Sequence, residues 1–405
     1  MKKDISIAFL GTLVPDTKEF QNTALSRAGN MVQDGIVSGL HSCGVELRVF
    51  SHRPIASFPN DRTLFCKKMK LQYKDSIDLI IVPFINMLFV KTITGALFDF
   101  FALLKWVLEN RNKERVILVY NAYTPPIDFV YWMGKITRSK TVAILYDLGM
   151  PPKDLNLNVL KKTIYRFVEF FAKIYIPRLD GRIVINENIA LDYAPGKHFL
   201  LVDGGISSNI TDRLFELTEK TDREKTVFLL AGSLWGANGT KLIIETLNLN
   251  NNPKIEMWFA GDGVDVDFIK DAAEKDQRIK YKGKLNLDQL FDLYREVDVL
   301  MNIRVTSNGE GNYLFPSKIL EYLAVGKYTI STKVAHIEKE YGHLCKLLEN
   351  NNSTELSAVM DELTDLSGNE MFKRGKHARN YMLNSHTWEN QSAKIKEYIT
   401  KLING

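Results

Sequence analysis

The sequence predicts an α/β protein of two doubly wound domains. Three observations carry that expectation. Strand-type and helix-type apolar patterns alternate along the chain, 405 residues exceed what one core usually holds, and a polar stretch at 207–225 interrupts the alternation. Apolar residues make up 45% of the chain and charged residues 25%, the balance of a globular protein that folds in water. A formal net charge of +5 is too diffuse for a nucleic-acid footprint, and the sequence has no RNP-like aromatic block, zinc spacing or Lys/Arg run. Mild basicity suits nucleotide diphosphates or an anionic membrane surface instead.

In the first half, β-type apolar runs lie at 5–10, 46–50, 79–82, 116–120, 141–146, 182–185 and 199–202, most of them separated by helical patterns. Apolar strands alternating with helices read as a parallel sheet covered on both faces. Gly11 ends the first strand, and Gly29 with Asn30 opens a helix running to Leu40. A second strand series follows at 226–231, 255–260, 278–282, 297–302 and 328–332. The expected division is therefore a domain at 1–206, a linker at 207–225, a second domain at 226–386 and a last helix at 387–405, with Thr387 as its N-cap. In such a pair, ligands belong in the crevice outside the carboxyl ends of the strands.

The stretch 309–327 carries the chemistry. A glycine-rich loop containing Glu310 and Tyr313 leads to Pro316, which is tolerated near a helix start, then to Ser317, Lys318 and an apolar face that Gly326 terminates. N–H groups at a helix start favour an anion, and Lys318 adds a full positive charge on the same turn. Glu321 lies three residues on, on the same face, where a carboxylate accepts hydrogen bonds from vicinal hydroxyls such as those of a ribose. The element reads as a nucleotide-sugar site, with the diphosphate and the ribose on one turn.

This block resembles the donor-binding motif of glycosyltransferase family 4 and related GT-B enzymes of bacterial polysaccharide and lipid-linked oligosaccharide assembly. That resemblance implies the GT-B fold, two Rossmann-like domains facing a cleft. In the family a Glu-x7-Glu pair starts in the loop and ends on the helix. Glu321 matches the second Glu, Tyr313 occupies the first position, and Glu310 is the candidate to replace the missing acid. The loop Gly232-Ser233 to Asn238-Gly239 matches one that in relatives carries an Arg and a Lys on the diphosphate. Here Ser233 and Asn238 hold those positions, and Lys318, aided by Arg304, is expected to supply the charge. Gly261 and Gly263 resemble the family's Gly-x-Gly turn, and Tyr281 with Gly283 resembles the strand exit that reads the base. Asp265 and Asp267 superficially suggest a metal site, but an acidic helix start explains them, and no metal or cofactor is expected beyond the nucleotide-diphosphate sugar. The family's Trp-containing last helix, matched by Trp388, crosses back to the N-terminal domain.

Signals on the acceptor side are Gly11, Gly29, Asn30, Asn121, Tyr146 and Asp147; Tyr146 stands where relatives carry a sugar-binding His, and Asp147 keeps the carboxylate. The turn from Asp203 to Ile206 resembles the one closing the family's N-terminal domain. Two apolar stretches raise the question of a membrane. Residues 79–90 are too few to span one. Residues 158–176 form a helical stripe with Lys162, Arg166, Glu169 and Lys173 opposite; it either packs on the sheet or lies on a membrane surface. Cys43, Cys66 and Cys345, odd in number and far apart, suit reduced thiols in the cytoplasm, possible residence at the inner membrane face included, and the start lacks a signal-peptide pattern. The expected activity is transfer of a hexosyl group from a nucleotide-diphosphate donor to a saccharide or polyprenyl-linked acceptor, with retention at the anomeric carbon. Asp147, Lys318 and Glu310 are the candidate catalytic residues. The alternatives are a nucleotide-sugar epimerase of the same fold and a non-catalytic binding module.

Overall fold

A computed structural model describes residues 4–20, 24, 26–74, 76–121, 125–148, 159–218, 224–305 and 313–405. The chain forms two compact units, Met1–Gly205 with Trp388–Gly405, and Ile206–Thr387. The first unit is built on eight strands, β1 (Ile5–Gly11), β2 (Glu46–Ser51), β3 (Met69–Tyr73), β4 (Ile77–Ile81), β5 (Glu114–Tyr120), β6 (Lys140–Leu145), β7 (Gly181–Val184) and β8 (Leu200–Leu201). Their order is β8-β7-β6-β5-β1-β2-β4-β3, parallel throughout except for the β3/β4 pair. The inner strands are buried on both faces; Ile7, Ala8, Phe9 and Leu10 of β1 are all sealed from water.

Helix α1 (Arg27–Ser42) connects β1 to β2, whereas α2 (Val90–Glu109), α3 (Ile127–Thr137) and α4 (Val159–Tyr175) make the crossovers that step the other way along the sheet. Right-handed crossovers therefore put α2, α3 and α4 on one face and α1 on the other. A short helix, α5 (Glu187–Tyr193), follows β7. The final helix, Trp388–Asn404, joins α1. Glycines permit that approach: a Cβ on Gly35 would lie 2.1 Å from Trp388 Cε2, and one on Gly39 2.2 Å from Ser392 Oγ. Gly205, in the turn after β8, likewise faces Trp388, at 2.6 Å. The Trp388 ring thus fills the space left by two missing side chains, at Gly35 and Gly205, and Ser392 packs where a third is missing at Gly39.

The second unit has six parallel strands, β9 (Thr226–Ser233), β10 (Ile255–Asp262), β11 (Ile279–Tyr281), β12 (Val299–Asn302), β13 (Tyr328–Thr332) and β14 (Lys346–Leu348), in the order β11-β10-β9-β12-β13-β14. Its helices are α6 (Thr240–Leu249), α7 (Val266–Lys275), α8 (Leu287–Glu296), α9 (Lys318–Val325), α10 (Ile337–Tyr341), α11 (Ser353–Thr364) and α12 (Gly368–Ser385). Both units are thus doubly wound and Rossmann-like.

Three features differ from the sequence expectation. Strand β3 pairs only with β4 and is at most half-buried, so it lacks the apolar run that marks a core strand. Strand β14 spans three residues at the opposite edge of the second sheet. The segment expected as a linker belongs to the second unit over its described part. Residues Ser208–Thr211 form a helical turn, and Arg379 Nη1 donates to the Phe215 carbonyl at 2.7 Å. The Phe215 ring is covered by Arg295, Lys327 and Arg379, each 5.4–5.6 Å from its centroid. These contacts fasten this part of the segment to the second unit. All three cysteines are free, and burial pushes the Cys345 thiol up to about 12.

Removing Trp388 should leave a void against α1 that none of the three glycines can fill. Trp388→Ala is expected to destabilise the first unit by about 3–5 kcal/mol, read as an earlier unfolding transition in urea for the probes of that unit.

Candidate functional site

The carboxyl ends of β9, β10 and β11 are stitched together through glycine. Gly232 and Gly261 are register partners, with φ values of +131° and +142°. A Cβ on Gly261 would sit 1.8 Å from the Gly232 carbonyl oxygen, and one on Gly263 2.1 Å from that of Leu234. The Gly261 N–H donates to the Gly283 carbonyl at 2.8 Å, and the Tyr281 hydroxyl donates to the Gly261 carbonyl at 2.8 Å. The side chain of Tyr281 is therefore spent on holding this edge. What the edge presents is closely spaced backbone, the surface that phosphates approach best.

The loop from Ser233 to Gly239 has no cation of its own, and Arg304, just past β12, reaches into it. Its guanidinium hydrogen-bonds the Asn238 side-chain oxygen, and Asn238 in turn donates to the Ser233 carbonyl at 2.6 Å. The same guanidinium lies 5.5 Å from the centre of the Trp235 ring. The backbone of Arg304 is fixed on both sides, by Thr332 Oγ1 at 3.0 Å and by Asn351 Nδ2 at 3.0 Å. Burial lowers the pKa of Arg304 from its ordinary value, but arginine remains a cation at neutral pH. Gly239, with φ +88°, sits hard against Ile303, where a Cβ would be 2.5 Å from Cγ2. Asp265 is buried and accepts the Thr240 hydroxyl, so it fastens α7 to the start of α6, while Asp267 lies in solvent.

Helix α9 begins at Lys318 and ends on Gly326 in the left-handed conformation. Lys318 Nζ and the Tyr294 hydroxyl both donate to Glu321 Oε1, at 2.7 and 2.5 Å. The other carboxylate oxygen accepts no hydrogen bond among the described residues, and the side chain is 15% exposed. The acid is thus oriented, charge-balanced and left with one oxygen for a ligand. Tyr322, one residue on, accepts from the Ala231 N–H at 3.1 Å and donates to the Ala231 carbonyl at 3.0 Å, tying α9 to the end of β9. Burial holds the hydroxyls of both Tyr294 and Tyr322 protonated, far above their ordinary range.

The start of α9 is tighter than expected. The Ile319 and Leu320 N–H groups bond back to the Pro316 and Ser317 carbonyls, both at 3.1 Å, and the exposed Ser317 hydroxyl makes no capping bond. Fewer helix-start donors face outward than a plain N-terminus would offer. Lys318, expected to grip phosphate, instead pairs with Glu321. Tyr313 is half-buried, and Glu310 lies outside the described residues.

In the first unit, α1 organises the loop after β1. Asn30 spends its amide on Val14, in both directions at 3.0 Å, and Gln33 accepts from the Thr12 N–H at 2.8 Å. A Cβ on Gly11 would collide with that Gln33 oxygen at 2.3 Å. Gly29 lies in the first turn of α1, its N–H on the Ser26 hydroxyl. Asn121, at φ +61°, accepts from the Tyr146 and Asp147 N–H groups at 3.1 and 3.0 Å, so it shapes their turn. Asp147 is exposed. The Tyr146 hydroxyl is buried without a hydrogen bond among the described residues, and desolvation, then the Asp203 carboxylate, raises its pKa well above the ordinary range. Three residues that organise these loops escaped the sequence reading. Tyr294 and Gln33 look like ordinary helix residues. His52, at the end of β2, meets the fully buried Asp99 of α2 at 2.7 Å across 47 residues of chain. Only the fold brings that pair together.

Comparisons with known proteins place the arrangement. Residues 225–365, most of the second unit, match the family described as "Glycosyl transferases group 1". By sequence, no curated relative matches the chain. Among solved structures, sucrose-phosphate synthase from Thermosynechococcus elongatus superposes with a TM-score of 0.64 at 13% identity, over 98% of this chain and 99% of that one. A glycosyltransferase from Rickettsia africae gives 0.63 at 15%, over 100% and 99%. HepE from Anabaena, solved in complex with UDP, gives 0.59 at 15%, over 99% and 100%. The fold is GT-B, and the family match together with it supports a glycosyltransferase.

The glycine edge makes a graded prediction. Gly261→Ala must move the Gly232 carbonyl and should cost more than about 3 kcal/mol. Gly232→Ala meets nothing within 4 Å and should cost only the backbone strain, about 1–3 kcal/mol. Thermal unfolding of the two variants side by side gives the order.

Proposed function

We propose that the chain transfers a sugar from a nucleotide-diphosphate donor to a saccharide or polyprenyl-linked acceptor in the synthesis of a cell-surface polysaccharide. The observation that carries this reading is Glu321, whose Oε1 is held by Tyr294 and Lys318 on a helix that Tyr322 ties to the glycine edge. A ribose diol would take the remaining oxygen, Oε2, and the diphosphate would lie along the backbone of Gly232 and Gly261. The donor reading is supported by HepE, which was solved with UDP, and a uridine diphosphate sugar is the first donor to try.

When the glycosidic bond breaks, negative charge accumulates on the departing diphosphate, and a cation fixed in advance stabilises it most. Arg304 suits that task best in this chain, since it is anchored at backbone and side chain and already lies over the loop. Lys318 contributes by holding Glu321 and can reach phosphate only by loosening that pair. Metal independence and retention at the anomeric carbon follow the family resemblance. Acceptor contacts fall to the loops that Asn30, Gln33 and Asn121 brace, with Asp147 at their surface. The cytoplasmic assignment belongs to the same reading.

Three measurements test it. Glu321→Ala should weaken nucleoside diphosphate binding roughly tenfold to a hundredfold in calorimetry, the loss of charge-assisted hydrogen bonds worth about 1.5–3 kcal/mol, with the fold unchanged. Equal affinity in wild type and variant would sink the ribose assignment. Arg304→Met should weaken diphosphate binding while leaving the uncharged nucleoside unaffected. A parallel loss for both ligands would mean that Arg304 only supports the loop. Release of diphosphate from a panel of nucleotide sugars, with and without acceptor, separates transfer from epimerisation and from binding alone.

A further inference from the structure

We infer that the outer face of α2, α3 and α4 on the first unit docks on an anionic lipid bilayer. Helix α3 packs against both α2 and α4, and the Tyr131 and Tyr175 rings meet at 5.4 Å, so the three helices form one layer. Their inward residues, such as Leu103, Trp106, Val130, Met133 and Ala172, are buried. Their outward residues should be polar on a helix layer facing water. On α2, Ile93, Leu97 and Phe101 recur every four residues and are 69%, 53% and 58% exposed. Trp132 and Ile136 do the same on α3, and Phe167 and Phe170 on α4.

The apolar surface continues past the head of α2. A two-stranded ribbon, Phe65–Cys66 with Phe84–Ile85, packs there, and the Ile85 N–H bonds to Thr94 Oγ1 of α2 at 3.1 Å. Phe65, Met87 and Leu88 are all exposed. Phe89, at the start of α2, is 54% exposed and held at φ +66°, a conformation that costs a bulky residue energy. Most of the large exposed apolar side chains among the described residues lie on this one face of one unit. A patch of that extent marks an interaction surface.

Charge identifies the partner. Lys135, Arg138, Lys162 and Arg166 are exposed on α3 and α4, and none has a carboxylate within ion-pair distance among the described residues. Lys67 and Lys68 flank the ribbon in the same condition. Three of the four acids on these helices are turned to other work: Asp99 is buried against His52, Glu109 pairs with Arg48 and Glu169 pairs with Lys173, while Asp128 is half-buried in the first turn of α3. Unneutralised cations around exposed aromatic and aliphatic side chains complement a surface of anionic headgroups over acyl chains. No helix among the described residues is long and apolar enough to cross a membrane, so the contact is interfacial. Of the apolar stripe read from the sequence on α4, Phe167 lies exposed on the face.

The test is sedimentation of the full chain with vesicles of phosphatidylcholine alone or mixed with phosphatidylglycerol. The protein should pellet with the mixed vesicles and be released as salt is raised well beyond about 0.1 M, where screening shortens to under 10 Å. Leu97→Asp with Phe101→Asp, and separately Lys162→Glu with Arg166→Glu, should each lower the partition coefficient by at least about tenfold. Both variants should melt as wild type does, because the altered side chains are exposed. Phe268→Asp, an exposed apolar site on the second unit, should change nothing. Pelleting unaffected by either pair would overturn the proposal. So would a concentration-dependent dimer that the Leu97/Phe101 variant abolishes while vesicles recruit nothing, since the face would then be covered by a second copy.

Discussion

The donor edge of the second unit depends on one contact, the Gly261 backbone lying against the Gly232 carbonyl. The two chains lie this close because Gly261 carries no Cβ, and the Gly283 carbonyl and the Tyr281 hydroxyl hold Gly261 there. The loops after β9, β10 and β11 inherit their positions from this contact. So does α9, since Tyr322 bonds to Ala231, the residue just before Gly232. One missing methyl group thus sets where these loops begin and where α9 is tied to the sheet.

The loop from Ser233 to Gly239 carries no cation in this chain, so the charge beside it comes from outside the loop. Arg304 enters from the end of β12, is clamped by Thr332 and Asn351, and is the fixed cation at the loop. Lys318 has a different part. Its ion pair with Glu321 is only partly exposed, and together with the Tyr294 hydroxyl it fixes the direction of the carboxylate. The two cations are therefore placed differently, Arg304 against the loop and Lys318 on the Glu321 carboxylate.

The first unit is braced differently, by side-chain amides and not by absent side chains. Gln33 and Asn30 hold the loop after β1 from α1, and Asn121 holds the turn at Tyr146 and Asp147 from the end of β5. His52 and Asp99 add a buried pair between β2 and α2, and the second Asp99 oxygen has no partner. Such a pair is costly to break, which locks α2 to the sheet. Because α2 is locked from within, its outward stripe is displayed on a rigid support.

Much of this was legible in the sequence. Buried parallel strands are apolar along their whole length, so the runs at 5–10, 116–120, 226–231 and 255–260 announced themselves, and the Pro-Ser-Lys turn, Glu321 and Gly326 announced α9. Local chemistry is enough for these, because each depends on residues within a few positions of one another. What needed the tertiary structure were partnerships across long stretches of chain: Tyr294 with Glu321, Arg304 with Asn238, Gln33 with Thr12, His52 with Asp99. The ion pair of Lys318 with Glu321 and the tight first turn of α9 likewise appear only in the folded chain. The reach of the apolar face on α2, α3 and α4 was hidden for the same reason. A helix pattern tells which side chains share a stripe, but only packing decides which stripe the sheet buries and which it leaves to the surroundings.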